Sequence, residues 1–126
     1  MREIDPNLHT KESRTALTKM VMRLFDHWQI STAVQASLLN RSLSSMRSYR
    51  NGGCFANDKE ILDRADNLLG IHKSLRIIFP YNRDLVYRWI VAKNDTFNGQ
   101  APIEIMKNGY SGIVAVRDYL VFQTQR

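Results

Sequence analysis

Cysteine is almost missing: Cys54 is the only one in 126 residues, so no disulfide can close within the chain and nothing points to an oxidising compartment. The thiol reads as inert. Long apolar runs are missing too, and none approaches the roughly 20 residues that a membrane-spanning helix needs. The opening Met1-Arg2-Glu3-Ile4-Asp5-Pro6 has no apolar core of the kind a signal peptide carries. A cytoplasmic protein without a membrane partner is expected. Histidines are few, and His9, His27 and His72 lie far apart with no Cys or carboxylate at metal-ligand spacing, so no metal site is expected. Gly99, Gly109 and Gly112 follow no strand and match neither phosphate-loop pattern, which argues against a nucleotide site. Asp63 and Asp66 stand one helical turn apart beside Arg64 and read as a solvated helix face, because a general acid/base pair needs a pocket for which the sequence gives no sign. The expectation is a protein with no catalytic residue and no cofactor.

Strand-like alternation is absent over any five residues, as are repeats and low-complexity segments, so the expected fold is all-α. Residues 1–13 are polar, hold Pro6 and show no apolar period, and they read as a loose arm. From Ala16 the pattern changes. Leu17, Met20, Val21, Leu24, Phe25 and Trp28 recur at three- and four-residue steps, the stripe of an amphipathic helix. Ser31 or Thr32 then caps a helix carrying Val34, Leu38 and Leu39, and Asn40 suits the left-handed conformation that ends it. Ser42 caps the next helix, which Asn51-Gly52-Gly53 terminates. Two short helices with a tight turn between them make a helix-turn-helix pattern.

Acids are missing from this stretch. The chain holds 18 Lys and Arg against 12 Asp and Glu, a net charge of +6, yet from His27 to Asn57 there is no acid at all while Arg41, Arg47 and Arg50 are present. The plain alternative is a basic, solvated helix; the acid-free window favours a nucleic-acid face instead. On that reading residues 43–50 enter the major groove. Ser44, Ser45, Arg47 and Ser48 reach base edges or phosphates, with Arg41, Ser42 and Arg50 completing the DNA-binding set. Met46 and Tyr49 turn inward.

Asn57-Asp58 opens a further helix with the stripe Ile61, Leu62, Ala65, Leu68 and Leu69, which Gly70 ends or kinks. Leu75, Ile78 and Phe79 extend the apolar pattern to Pro80, which no helix interior tolerates. Asn82 caps a segment bearing Leu85, Val86, Trp89 and Ile90, and Trp89 on that stripe is expected to pack in the core. Asn98-Gly99 turns the chain, Pro102 starts a short helix, Asn108-Gly109 stops it and Ser111 starts another. The stretch from Gly52-Gly53 to Asn57 is the expected boundary between two parts.

Trp89, the loop Phe97-Asn98-Gly99, the run Ala101-Pro102-Ile103-Glu104-Ile105-Met106 and the closing Gly112-Ile113-Val114-Ala115-Val116-Arg117-Asp118-Tyr119-Leu120 occur in that order. Together they resemble the toxin-binding domain of the Xre/MbcA/ParS-like antitoxins. The run from Arg64 to Phe79 resembles the helix leading into that domain, so the resemblance spans about residues 58 to 123. Ala36, Asn40, Met46 and Tyr49 are similar to positions of the Xre-type DNA-binding motif. The resemblance implies an antitoxin of a type II toxin-antitoxin pair, in which residues 14–53 bind operator DNA and residues 58–126 form a homodimer and bind the toxin. It implies as partner a RES-domain toxin that consumes NAD or transfers ADP-ribose from it, inhibited by occlusion of its NAD pocket, and repression of the chain's own operon. Asn98, Gly99, Tyr119, Gln123 and Arg126 are the toxin-facing residues it implies, although the last helix is open to either the dimer or the toxin. A domain of this size would gain from burying Ile113, Val116 and Leu120 against a second copy. The alternative is a helix-turn-helix transcription regulator without a toxin partner; a small enzyme has little support.

Overall fold

Thr10 opens the first helix, its hydroxyl accepting the Ser13 N–H at 3.1 Å, and α1 runs Lys11–Trp28. A computed structural model describes residues 10–126, which form seven α-helices and two short 3-10 turns, with an isolated bridge between Asn94 and Gln100 and no strand among the described residues. The fold is all-helical, as expected. Residues 1–9, with His9, lie outside the described residues; Thr10 to Ser13 are a helix cap and first turn rather than the end of a loose arm. On α1, Leu17, Val21, Leu24, Phe25 and Trp28 are buried, but Met20 is 53% exposed and Met22 takes a buried place instead. The buried stripe thus widens toward Thr18 and Met22 and leaves Met20 at its edge.

Ser31, whose hydroxyl accepts the Val34 N–H, caps α2 (Thr32–Leu39), and Asn40 closes it at φ +52°. Ser42 caps α3 (Leu43–Arg50), accepting the Ser45 N–H at 3.1 Å. Only Asn40, Arg41 and Ser42 join the two helices; α3 packs on both α2 and α1. Met46 is buried and Tyr49 lies edge-on to Phe55 with ring centroids 4.9 Å apart, so both face inward. Gly52, at φ +99°, carries the chain out of α3. The segment beyond is tied back to α1: the Phe55 N–H donates to the Thr18 hydroxyl at 2.9 Å, and the Arg14 guanidinium to the Phe55 carbonyl at 2.8 Å.

Helix α4 (Lys59–Ile78) passes through Gly70 without ending. The glycine has another use, since a Cβ there would stand 2.7 Å from Nε of Arg117. The chain divides inside α4 into two compact units, residues 1–66 and 67–126. In the second, Asn82 caps α5 (Arg83–Arg88), a 3-10 turn follows at Trp89–Val91 and another at Asp95–Phe97, and Pro102 occupies the first turn of α6 (Pro102–Met106). Helix α7 (Tyr110–Thr124) begins one residue before the expected Ser111, with Gly109 at φ +144° in the cap position. Helices α6 and α7 pack so closely that a Cβ on Gly112 would overlap the Ile105 carbonyl oxygen. Ile113, Val116 and Leu120 are already buried in the single chain, which removes the expected gain from burying them against a second copy. No described helix is long and apolar enough to cross a membrane.

Candidate functional site

Two surfaces carry the residues singled out by sequence. The first is the exposed side of α3 in residues 1–66. Ser42, Ser44, Arg47, Ser48 and Arg50 are exposed, Ser45 is half-buried with its Oγ 3.1 Å from Ser42 Oγ, and Arg41 is half-buried at the turn. The acid-free window in the sequence is not acid-free in space. Arg41 pairs with Asp58 at 2.7 Å and with Glu60 at 3.4 Å, and Arg50 pairs with Asp26 at 2.7 Å and donates to the Gln35 side-chain oxygen at 3.1 Å. Of the three arginines only Arg47 makes no ion pair among the described residues. Asp26 lies in the last turn of α1 and Asp58 precedes α4, so both acids sit just outside the counted window and fold back upon it.

Glu60 anchors this arrangement. It accepts from the Asn40 amide at 3.2 Å and from Arg64 Nε at 2.8 Å, while Arg64 Nη1 reaches the Leu38 carbonyl at 3.1 Å. The Asn40 hydrogen bond, with those of Arg64 and Arg41, holds the Glu60 carboxyl below its usual range against the opposing effect of burial, which ranks second to Asn40. Arg64 is therefore buried, at 8% exposure, and caps the carbonyl end of α2; it does not lie on the solvated face expected of it. Burial pushes the Tyr49 hydroxyl up, partly offset by Arg41.

The second surface lies in residues 67–126. The loop after the first 3-10 turn closes on itself: the Asn94 N–H donates to the Gln100 carbonyl at 3.2 Å, the Gly99 N–H to the Asn94 carbonyl at 3.0 Å and the Thr96 N–H to the Asn94 side chain at 2.9 Å. Asn98 at φ +59° and Gly99 at φ +81° make the reversal possible. The loop holds Phe97 edge-on against both Trp89 and Tyr119, at centroid distances of 6.1 and 5.3 Å. Trp89 and Tyr119 lie nearly parallel, 10° apart, with centroids separated by 6.3 Å, and the Thr96 and Tyr119 hydroxyls stand 3.5 Å apart.

Trp89 is thus half-exposed rather than core, and Ile90 is the fully buried residue. The physical reason is the change from α to 3-10 geometry at Trp89, whose tighter turn rotates the ring off the stripe of α5. Asn98 and Gly99 are exposed at the loop tip beside Phe97, and Tyr119 belongs to the ring cluster. Gln123 is half-buried one turn beyond Tyr119 and Arg126 is exposed at the end. Phe97, Thr96 and the role of Trp89 went unread in the sequence, where only the break in period at Trp89 signals them. Among the described residues no three His, Cys, Asp or Glu side chains group as a metal site would require.

This ring cluster, its loop and the helices α5 to α7 fall in one continuous stretch of sequence. Residues 74–121 match the family model of the antitoxin Xre/MbcA/ParS C-terminal toxin-binding domain. The match takes in the end of α4, the whole of α5 and α6, the ring cluster and most of α7, and leaves α1 to α3 outside. It supports an antitoxin role in a toxin-antitoxin system, with a toxin as partner. No curated protein matches the chain.

Proposed function

We propose that the protein is the antitoxin of a type II toxin-antitoxin pair, that its partner is a RES-domain toxin which consumes NAD or transfers ADP-ribose, and that it neutralises the toxin by covering the NAD pocket. The observation that carries this reading is the toxin-binding domain match at residues 74–121, coinciding with a half-exposed aromatic cluster and an ordered loop. Steric occlusion asks for a preformed complementary surface and for no reacting group. The closed Asn94–Gln100 loop and the rigid packing of α6 on α7 supply such a surface, with Asn98, Gly99, Tyr119, Gln123 and Arg126 as its toxin-facing residues.

Residues 14–53 form the DNA-binding part in this proposal and residues 58–126 the toxin-binding and dimerising part. Helix α3 enters the operator's major groove with Arg41, Ser42, Ser44, Ser45, Arg47, Ser48 and Arg50 available to DNA, and the bound homodimer represses its own operon in the cytoplasm. Support for the groove reading comes from the three-residue turn between α2 and α3, the inward Met46 and Tyr49, and the serine-rich exposed side of α3 with Arg47, which makes no ion pair among the described residues. The test is co-expression of the full chain with the product of the adjacent reading frame. The proposal predicts a complex that co-purifies and cells that keep their NAD and grow. Failure to form a complex, or continued NAD loss in cells that hold the complex, contradicts it.

A further inference from the structure

Arg117 reaches from α7 to α4 and lies on a glycine. A Cβ on Gly70 would stand 2.7 Å from Nε of Arg117 and 3.4 Å from its Cδ, so the arginine rests directly against the backbone of α4, both residues belonging to the unit 67–126. Glycine inside a helix is unfavourable compared with alanine, and Gly70 stands in the interior of a 20-residue helix. What lies on it accounts for its place. The Nε of Arg117 is sealed from solvent and has no hydrogen-bond partner, while the residue as a whole is half-buried and makes no hydrogen bond or ion pair among the described residues. Its terminal nitrogens are therefore the part that faces solvent. Among the described residues no other lysine or arginine has a sealed nitrogen without a partner, and Arg47, which also lacks an ion pair, is simply exposed. A cation that has lost water on one side and gained no counter-charge opposes folding, so its retention calls for a physical reason.

We propose that Arg117, seated on Gly70, is a carboxylate-binding site for the protein partner and takes an Asp or Glu side chain across its terminal nitrogens. The inference rests on the toxin-binding reading above and adds the chemistry of one contact in it. Arg117 falls inside residues 74–121, matched to a domain that binds a toxin, and the anionic side chains a protein offers are carboxylates. A guanidinium donates two parallel N–H bonds to a carboxylate, and such charge-assisted pairs are stronger than neutral ones. The packing supplies the preorganisation: with Nε and Cδ held against Gly70, the fork is placed before the partner arrives and little side-chain freedom is lost on binding. The adjacent acid does not fill the place. Asp118 is exposed, makes no ion pair among the described residues and leaves α7 roughly 100° around the helix from Arg117.

The experiment measures the affinity of the full chain for the product of the adjacent reading frame at low and at high salt. It compares the native chain with Arg117→Gln, Arg117→Lys, Gly70→Ala and the control Arg88→Gln, each checked by circular dichroism and urea unfolding. Arg117→Gln is expected to bind about tenfold more weakly at low salt and to lose part of the salt dependence. Arg117→Lys keeps the charge without the fork, so it restores the salt dependence but only part of the affinity. Gly70→Ala keeps the arginine and favours the helix, yet its methyl group displaces Nε; it is expected to fold at least as stably as the native chain and to bind severalfold more weakly. Arg88→Gln removes an equal charge from an exposed ion pair and binds as the native chain does. Arg117→Gln with native affinity and salt dependence overturns the proposal, and so does Gly70→Ala with native affinity, which also decides the matter if Arg117→Gln fails to fold. A loss in Arg117→Gln that is equal at both salts overturns it in favour of a contact through the apolar stem. A variant that changes the sedimentation of the chain alone, with partner affinity intact, overturns it in favour of a contact between two copies. A native chain that binds no partner overturns the toxin-binding reading as well, so the two failures are distinguishable.

Discussion

Gly112 lies where α7 crosses α6, and a methyl group there would run into the Ile105 carbonyl, a backbone atom that no side-chain rotation can move aside. Gly112→Ala is therefore expected to destabilise the protein by about 1–3 kcal/mol, the range for forcing extra atoms into a packed contact. A urea midpoint unchanged from the native chain would contradict that close approach. Glu60 makes a second prediction at this scale. Its folded pKa lies below the ordinary 4.5 because Asn40, Arg64 and Arg41 donate to the ionised carboxylate. A depressed carboxylate stabilises the fold above its unfolded pKa, and that contribution is lost as pH falls through the folded value. Glu60→Gln should thus be less stable than the native chain at neutral pH and approach it below about pH 4. Parallel urea midpoints down through the acid range would refute the assignment. Neither residue was legible in the sequence in this role: a glycine in a helix shows no partner, and a carboxylate four residues before an arginine suggests only an exposed pair.

At the scale of the element, what was legible was local. The caps at Ser31 and Ser42, the left-handed Asn40, the turn at Asn98-Gly99 and Pro102 at the head of α6 follow from a few neighbouring backbone groups, and the structure has them all. What the sequence hid depends on distant partners. Arg41 and Arg50 looked like free positive charge because Asp58 and Asp26 fall just outside the acid-free window, yet the fold returns both acids to those arginines. Trp89 looked like core because the period of α5 carries past Arg88, where the 3-10 turn begins. If α3 is the groove helix, these pairs compete with phosphate. Asp26→Asn, which leaves Arg50 without its carboxylate, should then raise operator affinity severalfold and steepen its salt dependence. Arg47→Ala should lower affinity and reduce the salt slope by about one unit if Arg47 meets a phosphate. Unchanged binding in both variants would remove α3 from the interface.

For the whole molecule, the chain divides into units 1–66 and 67–126, and the family match falls within the second unit. The resemblance was readable at this scale because glycines, a proline and aromatic residues at fixed order define short helices and turns. The aromatic cluster itself was not readable, since Trp89, Phe97 and Tyr119 meet only after the Asn94–Gln100 loop and helix α6 have intervened. The most direct test of a toxin-binding second unit is amide hydrogen exchange on the full chain, alone and mixed with the product of the adjacent reading frame. The account predicts slowed exchange in the Asn94–Gln100 loop and along α6 and α7, with α2 and α3 unchanged. A mixture in which no segment slows, or in which slowing is confined to residues 31–50, would contradict it.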